Sequence, residues 1–142
     1  MHDAELIFDE SSMHKLAEIV VGHYILPKPG VIILLDGEMG AGKTTLVSLI
    51  VRHMKIDSPI TSPTFSIINQ YSDNIYHVDL WRLEAHEIHA LRLDEILSGN
   101  NVVFVEWSDK LPKKFWRDFG GYVNIKLIKH GEKERKVLIE EF

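Results

Sequence analysis

Short, wholly apolar runs alternate along the chain with one-sided amphipathic stretches. Val31-Ile32-Ile33-Leu34-Leu35 and Val102-Val103-Phe104-Val105 carry no polar break. Such runs predict strands buried on both faces, as at the centre of a parallel sheet. Met13, Leu16, Ala17 and Val20 keep the i, i+3, i+4, i+7 spacing of a one-sided helix, with Ser11 or Ser12 as candidate cap. Leu46, Leu49, Ile50 and His53 share a stripe that predicts a helix over 44–54. Ile88, Leu91 and Ile96 predict another over 84–97, stopped at Ser98-Gly99-Asn100. Leu6-Ile7-Phe8 reads as a short strand, and 66–71 and 75–80 as two strands joined at Ser72-Asp73-Asn74, a candidate hairpin. Residues 110–117 read as short mixed structure. Val123, Ile125, Leu127 and the stem of Lys129 alternate along 122–129, and Gly131-Glu132 turns the chain into a last strand over 136–140. Strands interleaved with helices, ending in an antiparallel pair, predict a three-layer α/β sheet.

The length of 142 residues suits a single domain over 1–142. With 45% hydrophobic and 26% charged residues the composition is that of a folded globule, which excludes a disordered chain. Cysteine is absent, which removes disulfides, thiolate metal sites and cysteine nucleophiles. The net charge of −5 argues against a bulk electrostatic grip on nucleic acid. The charge is uneven: residues 1–107 hold 7 Lys/Arg against 15 Asp/Glu, and residues 108–142 hold 9 against 6. The basic end could face a polyanion, but its bases alternate with acids, the pattern of a solvated face. The acidic start, Met1-His2-Asp3-Ala4-Glu5, lacks the form of a signal peptide, and the longest apolar run is far too short to span a bilayer. A cytoplasmic protein without membrane contact is expected.

The strongest chemical signal is Gly37-Glu38-Met39-Gly40-Ala41-Gly42-Lys43-Thr44, which matches G-x-x-x-x-G-K-[ST] at every fixed position. A buried strand precedes it and a helix follows, as the P-loop mechanism requires. The glycines let backbone N–H groups turn toward an anion, and the helix start adds partial positive charge. Lys43 suits the β- and γ-phosphates and the Thr44 hydroxyl suits Mg²⁺. Such a site also needs an acid at the end of a neighbouring strand. Glu106 ends the better buried run and Asp79 the weaker one, 75–78. Either could instead pair with a surface base. The Pro59-to-Phe65 loop lies where P-loop proteins place a γ-phosphate-sensing segment, with Thr61 or Thr64 as a hydroxyl donor, though its composition alone is that of a proline-kinked loop. Trp107 follows Glu106 directly, and rim packing is one reading of it.

Other patterns carry less. His86-Glu87-Ile88-His89 is H-E-x-H, without the H-E-x-x-H spacing of a zinc helix, and reads as a surface helix. Leu97-Ser98-Gly99 reads as a helix stop. The guanine-reading Asn-Lys-x-Asp is absent, and Ser62 has no pattern for a nucleophile triad.

Taken together, Leu35-x-Gly-x-x-Gly-Ala-Gly-Lys-Thr44, Thr61-Ser-Pro-Thr-Phe65 with Tyr71, His77-x-Asp79-x-x-Arg82-Leu83 and Val105-Glu-Trp107 resemble the bacterial TsaE family in order and spacing. These are small P-loop ATPases of tRNA threonylcarbamoyladenosine biosynthesis. Trp81 stands where the family usually has Tyr, and Ser108 where a small apolar residue is frequent. The resemblance implies a three-layer P-loop NTPase fold with a mixed sheet, a parallel core and an antiparallel flank. It implies ATP or ADP with Mg²⁺ as ligand, and TsaB and TsaD as partners. With them the protein would serve the modified adenosine next to the anticodon of tRNAs reading ANN codons. By that resemblance TsaD would carry the transfer chemistry, and this subunit would be a nucleotide-driven accessory that permits repeated turnover, meeting tRNA only indirectly. By position, Thr44 and Glu106 would hold Mg²⁺, and Asp79 would assist metal or water. Thr64 would belong to the switch loop. Gly37, Glu38, Met39, Gly40, Ala41, Gly42, Lys43, Thr44, Thr45 and Trp107 would surround the nucleotide.

Two other readings use the same loop. A stand-alone small-molecule kinase would be expected to add an acceptor-binding segment and an arginine-rich lid. The chain has five arginines, at 52, 82, 92, 117 and 135, and no insertion long enough for one. A nucleotide-sensing module without catalysis is the other.

Overall fold

The Val31–Leu35 run becomes β2 (Val31–Asp36), buried at five of its six positions. In this computed structural model, which describes residues 4–56 and 67–142, β2 is hydrogen-bonded in parallel on both sides. Its neighbours are β5 (Val102–Glu106) and β6 (Val123–His130). The sheet has seven strands in the order β1-β7-β6-β2-β5-β4-β3. β4 (Ile75–Asp79) runs parallel to β5, and β3 (Ile68–Ser72) returns antiparallel on β4 through the expected hairpin. On the other side β7 (Glu134–Glu141) is antiparallel to β6, and β1 (Ala4–Asp9) to β7. The predicted mixed sheet is present, with antiparallel strands at both flanks instead of one.

Alternation along the strands gives the sheet two apolar faces, and each has its own helices. On one face Ile33, Leu35, Phe104 and Ile125 pack with α1 (Met13–Val20) and α2 (Lys43–His53). On the other, Ile32, Leu34, Val103 and Val105 pack with Ile88 of α3 (Ala85–Ala90), Leu97 of α4 (Asp94–Ser98) and Trp116 of α5 (Lys113–Arg117). Each fully buried Leu or Ile contributes about 1.5–3 kcal/mol, so both faces hold the sheet firmly.

Three local expectations change. The helix predicted over 84–97 is two helices, because Arg92 takes a left-handed φ of 55° between them. Leu91 and Ile96 are only partly buried, and Ile88, Leu93 and Leu97 carry the packing. His53 is exposed, and α2 faces inward with Leu46, Val47, Ile50 and Val51. Ser12 holds the cap position of α1 but makes no side-chain capping bond to it; the capping bonds lie one turn earlier, at Asp9. Asp9 Oδ1 accepts from Ser12 N at 2.9 Å and Ser11 Oγ at 2.7 Å, while Ser12 Oγ accepts from Asp9 N. This reciprocal capping box closes the turn Glu10–Ser12. After α1 a π-helical turn, Val21–Ile25, buries Val21, Tyr24 and Ile25 as well.

The Asp9 bonds hold its carboxyl below the ordinary aspartate value, the serine hydroxyls first among the causes. A carboxylate depressed on folding stabilises the fold above its unfolded pKa, and loses that contribution as pH falls through the folded value. Asp9→Ala should therefore lower Tm at neutral pH. In thermal melts from pH 7 down to 2, the gap from the parent should close below the ordinary aspartate pKa of 3.8.

Candidate functional site

The Gly37–Gly42 loop leaves the C-terminal end of β2 and runs into α2. Gly37 sits against β6: a Cβ there would lie 2.7 Å from the Leu127 carbonyl oxygen. Gly42 takes the left-handed conformation at φ 103° and starts the helix. From β7, Arg135 Nε donates to Ala41 O at 3.0 Å and a terminal nitrogen reaches Gly40 O at 3.4 Å, so the loop is braced from outside.

Lys43 and Thr44 occupy the first turn of α2. The Lys43 side chain is buried, with Nζ donating to Gly37 O at 2.6 Å and lying 4.3 Å from the centroid of the Trp107 ring. Trp107 follows β5 at a positive φ of 62°, a strained position for a bulky side chain. Its ring meets Trp81 at 4.4 Å between centroids, tilted by 42°.

The strand register brings the two acids together. Leu35 on β2 pairs with Glu106 on β5, and Glu106 pairs with Asp79 on β4. Glu106 is two residues beyond Phe104 and therefore on the same face, that of α2. Thr44 Oγ1 donates to Glu106 Oε2 at 3.2 Å. Asp79 Oδ1 accepts from Trp81 N at 3.0 Å. Burial pushes the Asp79 carboxyl above its ordinary value and the neighbouring Glu106 adds to this; the Trp81 N–H, His77 and Lys43 pull the other way.

Met39, Gly40, Gly42, Lys43, Thr44, Thr45, Asp79, Trp81, Glu106 and Trp107 line one cleft of about 340 Å³. Sequence reasoning singled out all of these for the site except Trp81. Three loop residues, Gly37, Glu38 and Ala41, fall outside that lining: Glu38 is exposed, and Ala41 is fully buried in the core. Gly37 lies behind Lys43 in a small adjoining recess. The expected loop donors Thr61 and Thr64 lie outside the described residues.

Sequence reasoning assigned no role to His77, Tyr71 or Arg135. His77 is completely buried; its Nε2 lies 2.5 Å from Glu106 Oε2, and its Nδ1 3.0 Å from the Tyr71 hydroxyl. The signal was available for His77, since residues 75, 77 and 79 alternate onto one face and put it beside Asp79. Burial, with the charge of Glu106 adding to it, pushes the Tyr71 hydroxyl above its ordinary value, so the phenol keeps its proton. The His86 and His89 side chains are exposed, and Glu87 takes part in the capping box that starts α3.

The residues facing the cleft fit a Mg²⁺-nucleotide. They offer oxygens only, from Thr44, Glu106 and Asp79, beside a buried ammonium. Mg²⁺ favours such oxygens and is commonly held by one or two carboxylates together with phosphate. Among the described residues, no group of three or more His, Cys, Asp or Glu could hold a metal by itself. A cation here would thus draw on ligand oxygens as well.

The family model described as threonylcarbamoyl adenosine biosynthesis protein TsaE matches residues 7–137. The tRNA threonylcarbamoyladenosine biosynthesis protein TsaE of Nostoc is 40% identical over 122 residues, 80% of this chain and 72% of that protein. Its counterpart in Synechocystis is 41% identical over 91 residues, 59% of this chain and 58% of that protein. The one in Bacillus subtilis is 34% identical over 113 residues, 78% of this chain and 69% of that protein. The crystal structure of Bacillus subtilis YdiB superposes with a TM-score of 0.66 at 26% identity, covering 98% of this chain and 86% of that one. With a matched span from the first strand to the last, the chain belongs to the TsaE family of tRNA threonylcarbamoyladenosine biosynthesis.

Proposed function

We propose that the protein binds ATP with Mg²⁺ in the cleft at the Gly37–Thr44 loop and hydrolyses it. It does so as the accessory ATPase of threonylcarbamoyladenosine formation, acting with TsaB and TsaD. The observation that carries this reading is the meeting, across one cleft, of Lys43 and Thr44 from α2 with Glu106 and Asp79 from two adjacent strand ends. Lys43 would supply the ammonium for phosphate oxygens. The Thr44 hydroxyl gives its proton to Glu106, which leaves its lone pairs for a cation. Glu106 would hold the cation with Thr44, and Asp79 would act on metal or water beside them. Trp107 and Trp81 form the aromatic wall next to Lys43. Bound Mg²⁺ supplies charge neutralisation of the transferred phosphoryl group.

The net charge of −5 favours a protein partner over direct tRNA contact. Among the described residues no helix is long and apolar enough to cross a membrane.

The test measures phosphate release from ATP by the chain alone and with TsaB and TsaD, with and without Mg²⁺. The expected result is slow release alone, faster release with both partners, and dependence on Mg²⁺ throughout. Repeated cycles of tRNA modification should follow the same dependence. Phosphate transfer to a small molecule without partners would replace this reading by a kinase. Nucleotide binding with no release in any mixture would replace it by a sensor.

A further inference from the structure

Tyr71, His77, Glu106 and Thr44 form one continuous line of hydrogen bonds from the sheet to the first turn of α2. The Tyr71 hydroxyl lies 3.0 Å from His77 Nδ1, His77 Nε2 lies 2.5 Å from Glu106 Oε2, and Thr44 Oγ1 lies 3.2 Å from that same oxygen. Tyr71, His77 and Glu106 are all buried, His77 completely.

With a neutral ring facing an ionised carboxylate, the chemistry gives the line a direction. A neutral imidazole has one N–H donor and one bare acceptor nitrogen, and an ionised carboxylate only accepts. The hydrogen facing Glu106 therefore belongs on Nε2. Nδ1 is then the acceptor, and the Tyr71 hydroxyl donates to it. The phenol thus selects the tautomer, as a partner on one ring nitrogen fixes the other. Glu106 Oε2 receives two donors from different elements, His77 on β4 and Thr44 on α2. The two together hold its side chain in one orientation.

We propose that His77 is a positioning residue for ATP hydrolysis, holding the Glu106 carboxylate in line with Thr44 and the cleft, and that Tyr71 fixes the imidazole tautomer that lets it do so. The proposal rests on the reading of Glu106 as a residue of the hydrolytic site. His77 is fully buried and is not among the residues that line the cleft. Its action goes through Glu106 alone. Without it, Glu106 keeps Thr44, whose hydroxyl also serves the cation. The carboxylate would then be free to turn.

Four variants of the full chain, assayed with TsaB and TsaD, test this. His77→Leu should lower kcat for ATP hydrolysis roughly 10- to 100-fold, as loss of a partner behind a metal-site ligand does, with the nucleotide Kd held within about twofold. His77→Gln places an amide N–H near the Nε2 position and should recover most of the loss. A merely structural histidine would instead show matched losses of Tm in both variants and no rescue of kcat. Imidazole ¹⁵N spectra of the parent should show His77 as the Nε2–H tautomer, and Tyr71→Phe should redistribute it. This measurement decides the matter even where His77→Leu fails to fold. An Nδ1–H tautomer or a doubly protonated ring in the parent, or parental kcat in a folded His77→Leu, overturns the proposal. Glu106→Gln separates the two levels: if it hydrolyses ATP like the parent, the reading of Glu106 fails. If it is inactive while His77→Leu is fully active, the positioning role alone fails.

Discussion

Glu106→Gln should reduce ATP hydrolysis in the complex with TsaB and TsaD at least ~10²-fold, the contribution commonly made by one positioned carboxylate, while nucleotide binding persists. The structure explains why the substitution is clean. Gln has the same length and keeps one carbonyl oxygen. That oxygen can take the place of Oε2 and accept from both His77 Nε2 and Thr44 Oγ1. The buried donors stay satisfied, so the fold should hold, and what disappears is the negative charge beside Thr44. A cation shared with Thr44 would lose one anionic ligand, and a water near it would lose its base.

The assay has a second readout. The variant should still assemble with its partners, since Glu106 is buried at the base of the cleft with only 4% exposure. It should fail to sustain repeated rounds of tRNA modification. Parental hydrolysis would refute the role. Intact hydrolysis with lost assembly would make Glu106 an interface residue and shift the metal to Asp79, its register partner on β4.

Local pattern carried most of the fold and part of the site. The runs Val31–Leu35 and Val102–Val105 had no polar residue to offer a solvent face, so a central position followed from burial alone. The Gly37–Thr44 loop was legible because its chemistry is contiguous: glycines, lysine and threonine fall within eight residues. The groups that escaped assignment come from separate strands. Tyr71, His77 and Glu106 meet only because β3, β4 and β5 are neighbours, and that order is not written in any one segment. Arg135 braces Ala41 from 94 residues away. The break at Arg92 was hidden for another reason. Apolar spacing reports which face of a helix is buried and says nothing of a single residue leaving helical φ. Ser12 stands at the cap position of α1 without a capping bond of its own there, because its hydroxyl is turned back to Asp9, accepting from Asp9 N and donating to Asp9 Oδ1. Asp79 and Glu106 each showed as an acid ending a strand. That they stand side by side, with Glu106 as the one bonded to Thr44, is a fact of register.

Lys43→Ala should weaken ATP binding by ~2–3 kcal/mol, the range of a desolvated charge-assisted contact, or roughly 30- to 150-fold in Kd. The side chain is 6% exposed, so its ammonium meets little water to screen it. An ammonium has three N–H donors. In the structure one points to Gly37 O at 2.6 Å, and the charge rests over the face of Trp107 at 4.3 Å. The Gly37 bond fixes the nitrogen at the floor of the loop and leaves further donors for phosphate oxygens, so binding need not break it. Because the lysine is already held, little side-chain entropy remains to be lost on binding. Lys43→Arg should restore only part of the affinity. A planar guanidinium is longer, and its fork cannot keep the Gly37 bond and the seat over Trp107 while also facing the cleft. Titration calorimetry with ATP and Mg²⁺ measures all three proteins. Unchanged affinity in Lys43→Ala would remove the lysine from the phosphate site, and with it the assignment of the Gly37–Thr44 loop as the nucleotide cradle.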